Sequence, residues 1–274
     1  MKRTLFLVLA ATTAAATLLA QAPAPAVRVP PVPLTPEQKA ILAADFALPA
    51  DQPSVKIDSA TTYAGKPNPN FGNPQERFLS LHETFLKRRK QPMDALFIGD
   101  SITEAWQTVG AAVWKPAFAD SCNAANFGIS GDRTQHVLWR IRNGELDGIT
   151  PKAVVLLIGT NNTAHNTPPE IAAGVAKIVE QIHAKIPTTK VLLVNLLPRS
   201  PRPTDVRRRT AMQTNELLAK LHNGKDVIFL KAWDQFLDEN GTLSPAVMPD
   251  ALHPGEKGYE ILAGIIKSAL AKIH

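Results

Sequence analysis

This chain of 274 residues reads as an α/β protein, a three-layer α/β/α sandwich around a five-stranded parallel sheet. Three observations lead there. Apolar runs near 94–99, 123–127, 153–158, 190–196 and 227–230 have the length and residue types of strands. Stretches of helical periodicity separate them, and strands alternating with helices mean a parallel sheet covered on both faces. With 45% hydrophobic residues and a mean hydropathy of −0.07, the chain has apolar surface enough for a sizeable core without being a membrane protein by composition.

The elements follow in order. Met1-Lys-Arg-Thr-Leu-Phe-Leu-Val-Leu-Ala-Ala sets a basic start before an apolar, small-residue run that ends near Leu18-Leu-Ala20. This is the pattern of a secretory signal peptide over residues 1–20, and it predicts a secreted or periplasmic protein. Cleavage after Ala20 is expected, because a cut after Ala22 would place Pro23 beside the scissile bond. No cysteine lies near that point, so no lipid or other stable membrane anchor is expected. Residues 21–75 form a Pro-rich leader and N-terminal extension, extended as far as about residue 34. Thr35-Pro-Glu-Gln then offers a Thr cap, a first-turn Pro and a capping-box Gln, which predict a short helix. Residues 48–74, with Pro49, Pro53, Pro67, Pro69 and Pro74, read as loop. The main domain spans 76–274. It opens with a helix from Arg77 to Lys90, whose expected inward stripe is Phe78, Leu81, Phe85 and Leu86. Ala153-Val-Val-Leu-Leu-Ile158 has the unbroken apolar character of a fully buried strand. Ile171, Val175, Ile178, Val179 and Ile182 form the inward stripe of a crossover helix, and Tyr259, Leu262, Ile266 and Leu270 that of the last helix.

The chemistry concentrates where strands end. Phe97-Ile-Gly-Asp-Ser-Ile-Thr103 puts Ser101 on the turn leaving a buried strand, and Asp250-Ala-Leu-His253-Pro supplies a carboxylate and an imidazole. A seryl hydroxyl is a poor nucleophile at its own pKa and needs a base within hydrogen-bond reach, itself oriented by a third group. Ser101, His253 and Asp250 fit those roles. Acyl transfer passes through a tetrahedral oxyanion and needs donors fixed where the charge develops. In Asn126-Phe-Gly-Ile-Ser-Gly-Asp-Arg133 the Gly131 N–H can point outward with no side chain in the way. In Gly159-Thr-Asn-Asn162, Asn161 falls at the carboxyl end of a strand, where ligands gather in open α/β sheets.

Taken in order, Gly99-Asp-Ser101, Asn126 to Asp132, Gly159-Thr-Asn-Asn162 and Asp250-Ala-Leu-His253 resemble the four blocks of the SGNH, or GDSL, hydrolase family. The stretch from Asn126 to Leu146, with His136-Val-Leu-Trp-Arg-Ile and Asn143-Gly-Glu-Leu, is similar to the branch containing the catalytic subunits of platelet-activating-factor acetylhydrolase. The resemblance covers roughly residues 76 to 272. It implies a flavodoxin-like sheet, a nucleophile at Ser101, and an oxyanion hole made by the Ser101 and Gly131 backbone N–H groups with the Asn161 side-chain amide. It also implies that Asp250 supports His253. Ser130 stands where that branch often has glycine, a change expected to leave the fold alone and narrow the pocket beside Gly131.

Each motif also has a plain structural reading. Gly-Asp-Ser is common at turns, Asp250 and Pro254 would suit a helix start, and Gly-Thr-Asn-Asn can be an ordinary strand-to-helix turn. Four such coincidences in one order, each at a strand end or helix start, favour the catalytic reading. An α/β-hydrolase elbow is disfavoured because Thr103 stands where Gly-x-Ser-x-Gly needs glycine. No His-Glu-x-x-His, Gly-x-x-x-x-Gly-Lys or Gly-x-Gly-x-x-Gly occurs, and no cofactor or metal is expected. The +6 formal charge becomes +4 once Lys2 and Arg3 are removed. Its clusters, Lys87-Arg-Arg-Lys90 and Arg207-Arg-Arg209, lack interleaved aromatics and read as solvated helix faces, so no nucleic-acid partner is expected. Cys122 is the single cysteine, which excludes an internal disulfide, and it reads as a small buried hydrophobe. Trp106, His165 and the Leu197-Pro-Arg199-Ser-Pro-Arg202-Pro loop are candidates to line the cleft. The expected substrate is a small-molecule or polysaccharide ester, with short acyl groups on carbohydrate first and lipid esters second. A non-catalytic binder of the same fold and an acyltransferase are the alternatives.

Overall fold

All five apolar runs pair in the computed structural model of the chain, which describes residues 50–52, 62–63, 66–67 and 74–273. The strands are β1 (Ala95–Gly99), β2 (Ala124–Gly128), β3 (Ala153–Leu157), β4 (Lys190–Val194) and β5 (Val227–Leu230). They lie parallel in the order β2-β1-β3-β4-β5. The helices are α1 (Pro74–Arg88), α2 (Ser101–Glu104), α3 (Thr134–Arg142), α4 (Pro168–Lys185), α5 (Val206–Leu218) and α6 (Glu256–Leu270), with further short helical turns between Ala105 and Cys122. The signal-peptide segment and the Thr35 helix fall outside the described residues. Within the stretch read as loop, residues 62–63 and 66–67 form a two-residue antiparallel ladder, Thr62 opposite Pro67.

Two cores account for the unbroken apolar strands. Leu96, Ile98, Val154, Leu156, Val191 and Leu193 face α1, α3, α4 and α5, whereas Ala95, Phe97, Val155, Leu157, Leu192 and Val194 face α6 and the turns after α2. Because successive strand residues point to opposite faces, a strand buried on both sides needs an apolar residue at every position. Each large side chain so buried contributes about 1.5–3 kcal/mol. The α4 stripe from Ile171 to Ile182 and Tyr259, Leu262 and Ile266 of α6 are buried as expected. The stripe of α1 is rotated from the expected one: Phe78, Leu79, His82 and Phe85 are buried, while Leu81 and Leu86 are only partly covered. A polar ring takes a core position there because a carboxylate, Glu145, meets it at 3.0 Å.

Register brings the functional segments together. Gly99 of the central strand lies opposite both Gly128 and Leu157. Ser101, Gly131 and Asn161 therefore emerge two, three and four residues past one level of three adjacent strands. The chain goes from β1 to β2 on one side and reaches β3 on the other, which makes this the topological switch point of the sheet. A Cβ at Gly128 would run into the backbone of Thr103 and Glu104, so only glycine lets α2 lie against the end of β2. The N-terminal extension touches this domain at Ala50, which is buried and whose carbonyl accepts a 2.6 Å hydrogen bond from Thr134 Oγ1. No helix among the described residues is long and apolar enough to cross a membrane.

Candidate active site

The turn from β1 into α2 is held from three directions. Asp100 Oδ1 accepts the Ile102 N–H at 3.0 Å, the Asp100 carbonyl accepts the Glu104 N–H at 2.9 Å, and Tyr259 Oη donates to the Ile102 carbonyl at 2.8 Å. Ser101 is the first residue of α2, and a helix start leaves its N–H without an intrahelical acceptor. Its Oγ lies 2.9 Å from His253 Nε2, and His253 Nδ1 lies 2.7 Å from Asp250 Oδ2. The other Asp250 oxygen accepts the Leu252 and His253 N–H groups at 3.0 and 2.7 Å. A carboxylate can only accept, so the imidazole proton sits on Nδ1 and the Nε2 lone pair faces Ser101. Partial burial works against charge on Asp250, but bonds from the His253 ring and backbone outweigh it and hold the carboxyl below its ordinary range. The plain reading of Asp250 as a helix cap does not apply, since α6 starts at Glu256 with Gly255 before it.

The loop after β2 spends its N–H groups selectively. Ile129 donates to Gly99 O at 3.1 Å, Ser130 to Glu104 Oε2 at 2.6 Å, and Asp132 to Ile129 O at 3.1 Å. Gly131 donates to no acceptor among the described residues, and its φ of 87° is one that side chains rarely adopt. Ser130 is thus tied through its backbone to Glu104, which Arg77 pairs from α1. Across the opening, Asn161 Nδ2 donates to the Asp132 carbonyl at 2.9 Å. An amide nitrogen carries two N–H bonds, so one orients the group and the second remains for a ligand. Together, the unspent donors beside a hydroxyl, an imidazole and a carboxylate can receive an oxyanion as Ser101 attacks a carbonyl.

Several expected positions turn out differently. Trp106 is not at the cleft. It is 2% exposed and packs among Phe97, Trp114, Phe118 and Tyr259, because the turn after α2 folds back on the second core. Arg199 is buried behind the Asn161 turn, where Nη1 donates to Thr160 O at 2.7 Å, to Thr160 Oγ1 at 3.2 Å and to Thr163 Oγ1 at 3.1 Å. Arg202 and His165 are exposed. The loop that carries Arg199 does adjoin the site, since Ser200 N–H donates to Ala251 O at 2.8 Å. Both residues have left-handed backbones, with φ of 66° and 57°. Cys122 is half-buried with its thiol against Phe118 O, and burial pushes its pKa up.

Asn162 is fully buried and works as a brace. Its Oδ1 accepts the Thr134 N–H, and its Nδ2 reaches Thr134, Gln135 and Asn166. Asp100 has a different character. Its Oδ2 has no hydrogen-bond partner among the described residues, and burial pushes the carboxyl up to about 6 although the Ile102 N–H, His253 and Arg199 all oppose this. An acid with a raised folded-state pKa holds its proton more tightly in the native state, so its ionisation removes stability as pH climbs from about 4 through about 6. Asp100→Asn keeps the cap and removes the charge. At neutral pH it is expected to be more stable than the natural protein by roughly 1–3 kcal/mol in denaturant titrations. The two should converge below about pH 4, and a gap that did not change with pH would refute the assignment.

Residues 97–261 match the GDSL-like lipase/acylhydrolase family. The chain is similar to platelet-activating factor acetylhydrolase IB subunit alpha1 of Homo sapiens, with 38% identity over 200 residues that cover 72% of this chain and 84% of that protein. Among solved structures, a GDSL-like lipase from Bacteroides thetaiotaomicron superposes with a TM-score of 0.57 at 24% identity, covering 70% of this chain and 97% of its own. An acetylxylan esterase from Geobacillus stearothermophilus superposes at 0.51 with 20% identity, covering 64% and 92%. Both share the fold.

Proposed function

From the premise that the chain belongs to the GDSL-like lipase/acylhydrolase family, and is by that membership a carboxylic ester hydrolase, we propose that it is an exported serine esterase removing short acyl groups, acetyl first, from carbohydrate. The observation that carries the mechanism is the relay of 2.9 and 2.7 Å contacts from Ser101 through His253 to Asp250, set beside unspent donors. His253 Nε2 takes the Ser101 proton as Oγ attacks the ester carbonyl. The negative oxygen is received by the Ser101 and Gly131 N–H groups and the second Asn161 N–H. His253 then returns the proton to the departing alkoxide, leaving an acyl-serine. Water, activated by the same imidazole, attacks that intermediate and frees the acid. Alkoxides leave at lower pKa than amines, so an ester is a fitting bond for this relay.

The acyl group is supported by the names of two relatives, which share acetyl although one is a platelet-activating factor acetylhydrolase subunit and the other an acetylxylan esterase. Carbohydrate is favoured by the exposure of the acid–base pair, 39% for the His253 side chain and 52% for Asp250. That open rim admits a polymer without a deep channel. The basic, apolar N-terminus supports export. The 38% identity to the acetylhydrolase subunit supports a second reading, an acetylated lipid. Comparing p-nitrophenyl esters of rising chain length with acetylated xylan and an acetylated phospholipid decides between them. Preference for acetyl and release of acetate from xylan is the expected result. Faster turnover of the phospholipid would favour the second reading, and an absence of ester turnover would reject both.

The oxyanion role makes its own prediction. Asn161→Ala should lower kcat by about 10²–10³-fold with KM little changed, because the lost donor acts on the transition state. A raised KM with kcat intact would make Asn161 a substrate-binding residue. Asn162→Ala should act instead on stability, lowering the melting temperature.

A further inference from the structure

Behind the oxyanion loop lies a chain of charged side chains with no contact to the reacting atoms. Asp132 and Arg140 are fully buried, and Arg140 Nη2 lies 2.9 Å from Asp132 Oδ2. Among the described residues, neither Asp132 oxygen has another hydrogen-bond partner. Arg140 Nη1 donates to Glu145 Oε2 at 2.7 Å and to the Phe127 carbonyl at 3.0 Å. The second Glu145 oxygen meets His82 Nδ1 of α1 at 3.0 Å. His136 Nδ1 is 3.8 Å from Asp132 but accepts the Arg133 N–H, so that nitrogen carries no proton to share.

Stability does not explain this arrangement. Two carboxylates compete for one guanidinium in the core, and burial pushes the Asp132 carboxyl well above its ordinary range even with Arg140 beside it. Buried ionic networks of this kind are often no more stable than apolar residues of the same shape. Position explains it better. Phe127 stands at the end of β2 just before the loop, and Asp132 stands just after Gly131. One planar guanidinium thus grips both stems of the loop, a geometry its fork allows and a lysine would not reproduce. The Asp132 carbonyl is also the acceptor that orients Asn161.

We propose that Arg140, fixed by Glu145 and His82, is a positioning residue that sets the Gly131 N–H and, through the Asp132 carbonyl, the Asn161 amide where the oxyanion forms. This rests on the oxyanion-hole reading of Gly131 and Asn161. The test compares Glu145→Gln, near-isosteric and uncharged, with Arg140→Lys and with His82→Gln at the far end of the network. A short-chain p-nitrophenyl ester serves as substrate, and thermal melting follows the fold. Among variants that melt cooperatively, kcat should fall about tenfold for Glu145→Gln with KM within about twofold. Arg140→Lys should not rescue kcat despite keeping the charge. In an Asn161→Ala background, Glu145→Gln should cost clearly less than it does alone, because both changes act on the same donor. If Asn161→Ala lowers kcat but the network variants shift only the melting temperature, or if the losses multiply fully, positioning is refuted and the oxyanion hole stands. If Asn161→Ala leaves kcat untouched, the oxyanion reading itself is wrong. Should Arg140→Lys or Glu145→Gln fail to fold, His82→Gln is read by the same criteria.

Discussion

Ser101→Ala is expected to abolish labelling by an organophosphate probe and to lower kcat by at least about 10³-fold, the scale seen when a triad member is removed. Its Oγ is the atom facing His253 Nε2, and none of the bonds holding the turn passes through it. The variant should therefore melt as the natural protein does. Residual hydrolysis would come from the donors at Gly131 and Asn161 acting on a bound ester without a nucleophile. Labelling retained at another serine, with turnover near normal, would remove Ser101 from the mechanism.

Asp250→Asn should cost as much or more, about 10³–10⁴-fold in kcat. The amide oxygen can still accept the Leu252 and His253 N–H groups, so the turn keeps its shape. The amide nitrogen would then face His253 Nδ1, where two donors cannot meet. The imidazole is driven to the other tautomer, with its proton on Nε2 pointing at Ser101 and no lone pair there to take the seryl proton. Substrate binding should change little. A variant with normal kcat would show that Asp250 serves only as a backbone cap.

The sheet was legible because a strand buried on both faces must be apolar at every position. The five runs matched to within two residues at their ends. Ser101, Gly131, Asn161, Asp250 and His253 were legible as short motifs placed at strand ends and turns, and the structure brings their segments to one opening. What was not legible is the charged interior. His82, Arg140 and Glu145 carry no local signal of their burial together, since nothing in a single chain pairs residues 63 apart before the fold is known. Trp106 was misplaced for a related reason. An aromatic residue just past a strand end can face a cleft or fold under it, and only the packing of Tyr259 from the last helix decides which. Arg199 gave no signal that its charge would be spent on the carbonyl and hydroxyls of a single turn.

The hydroxyl and the imidazole that meet at 2.9 Å lie 152 residues apart in the chain. The first three strands to form in sequence bring the serine and the oxyanion donors, whereas the acid–base pair arrives on the turn before the last helix. Contacts of such long separation form late, after the entropy of closing the intervening chain has been met. A molecule whose C-terminal segment has not docked thus lacks both the acid–base pair and the Tyr259 bond that steadies the Ser101 turn. On the proposed mechanism, turnover is expected only once the C-terminal segment docks, so activity would report the completion of folding rather than the formation of the sheet.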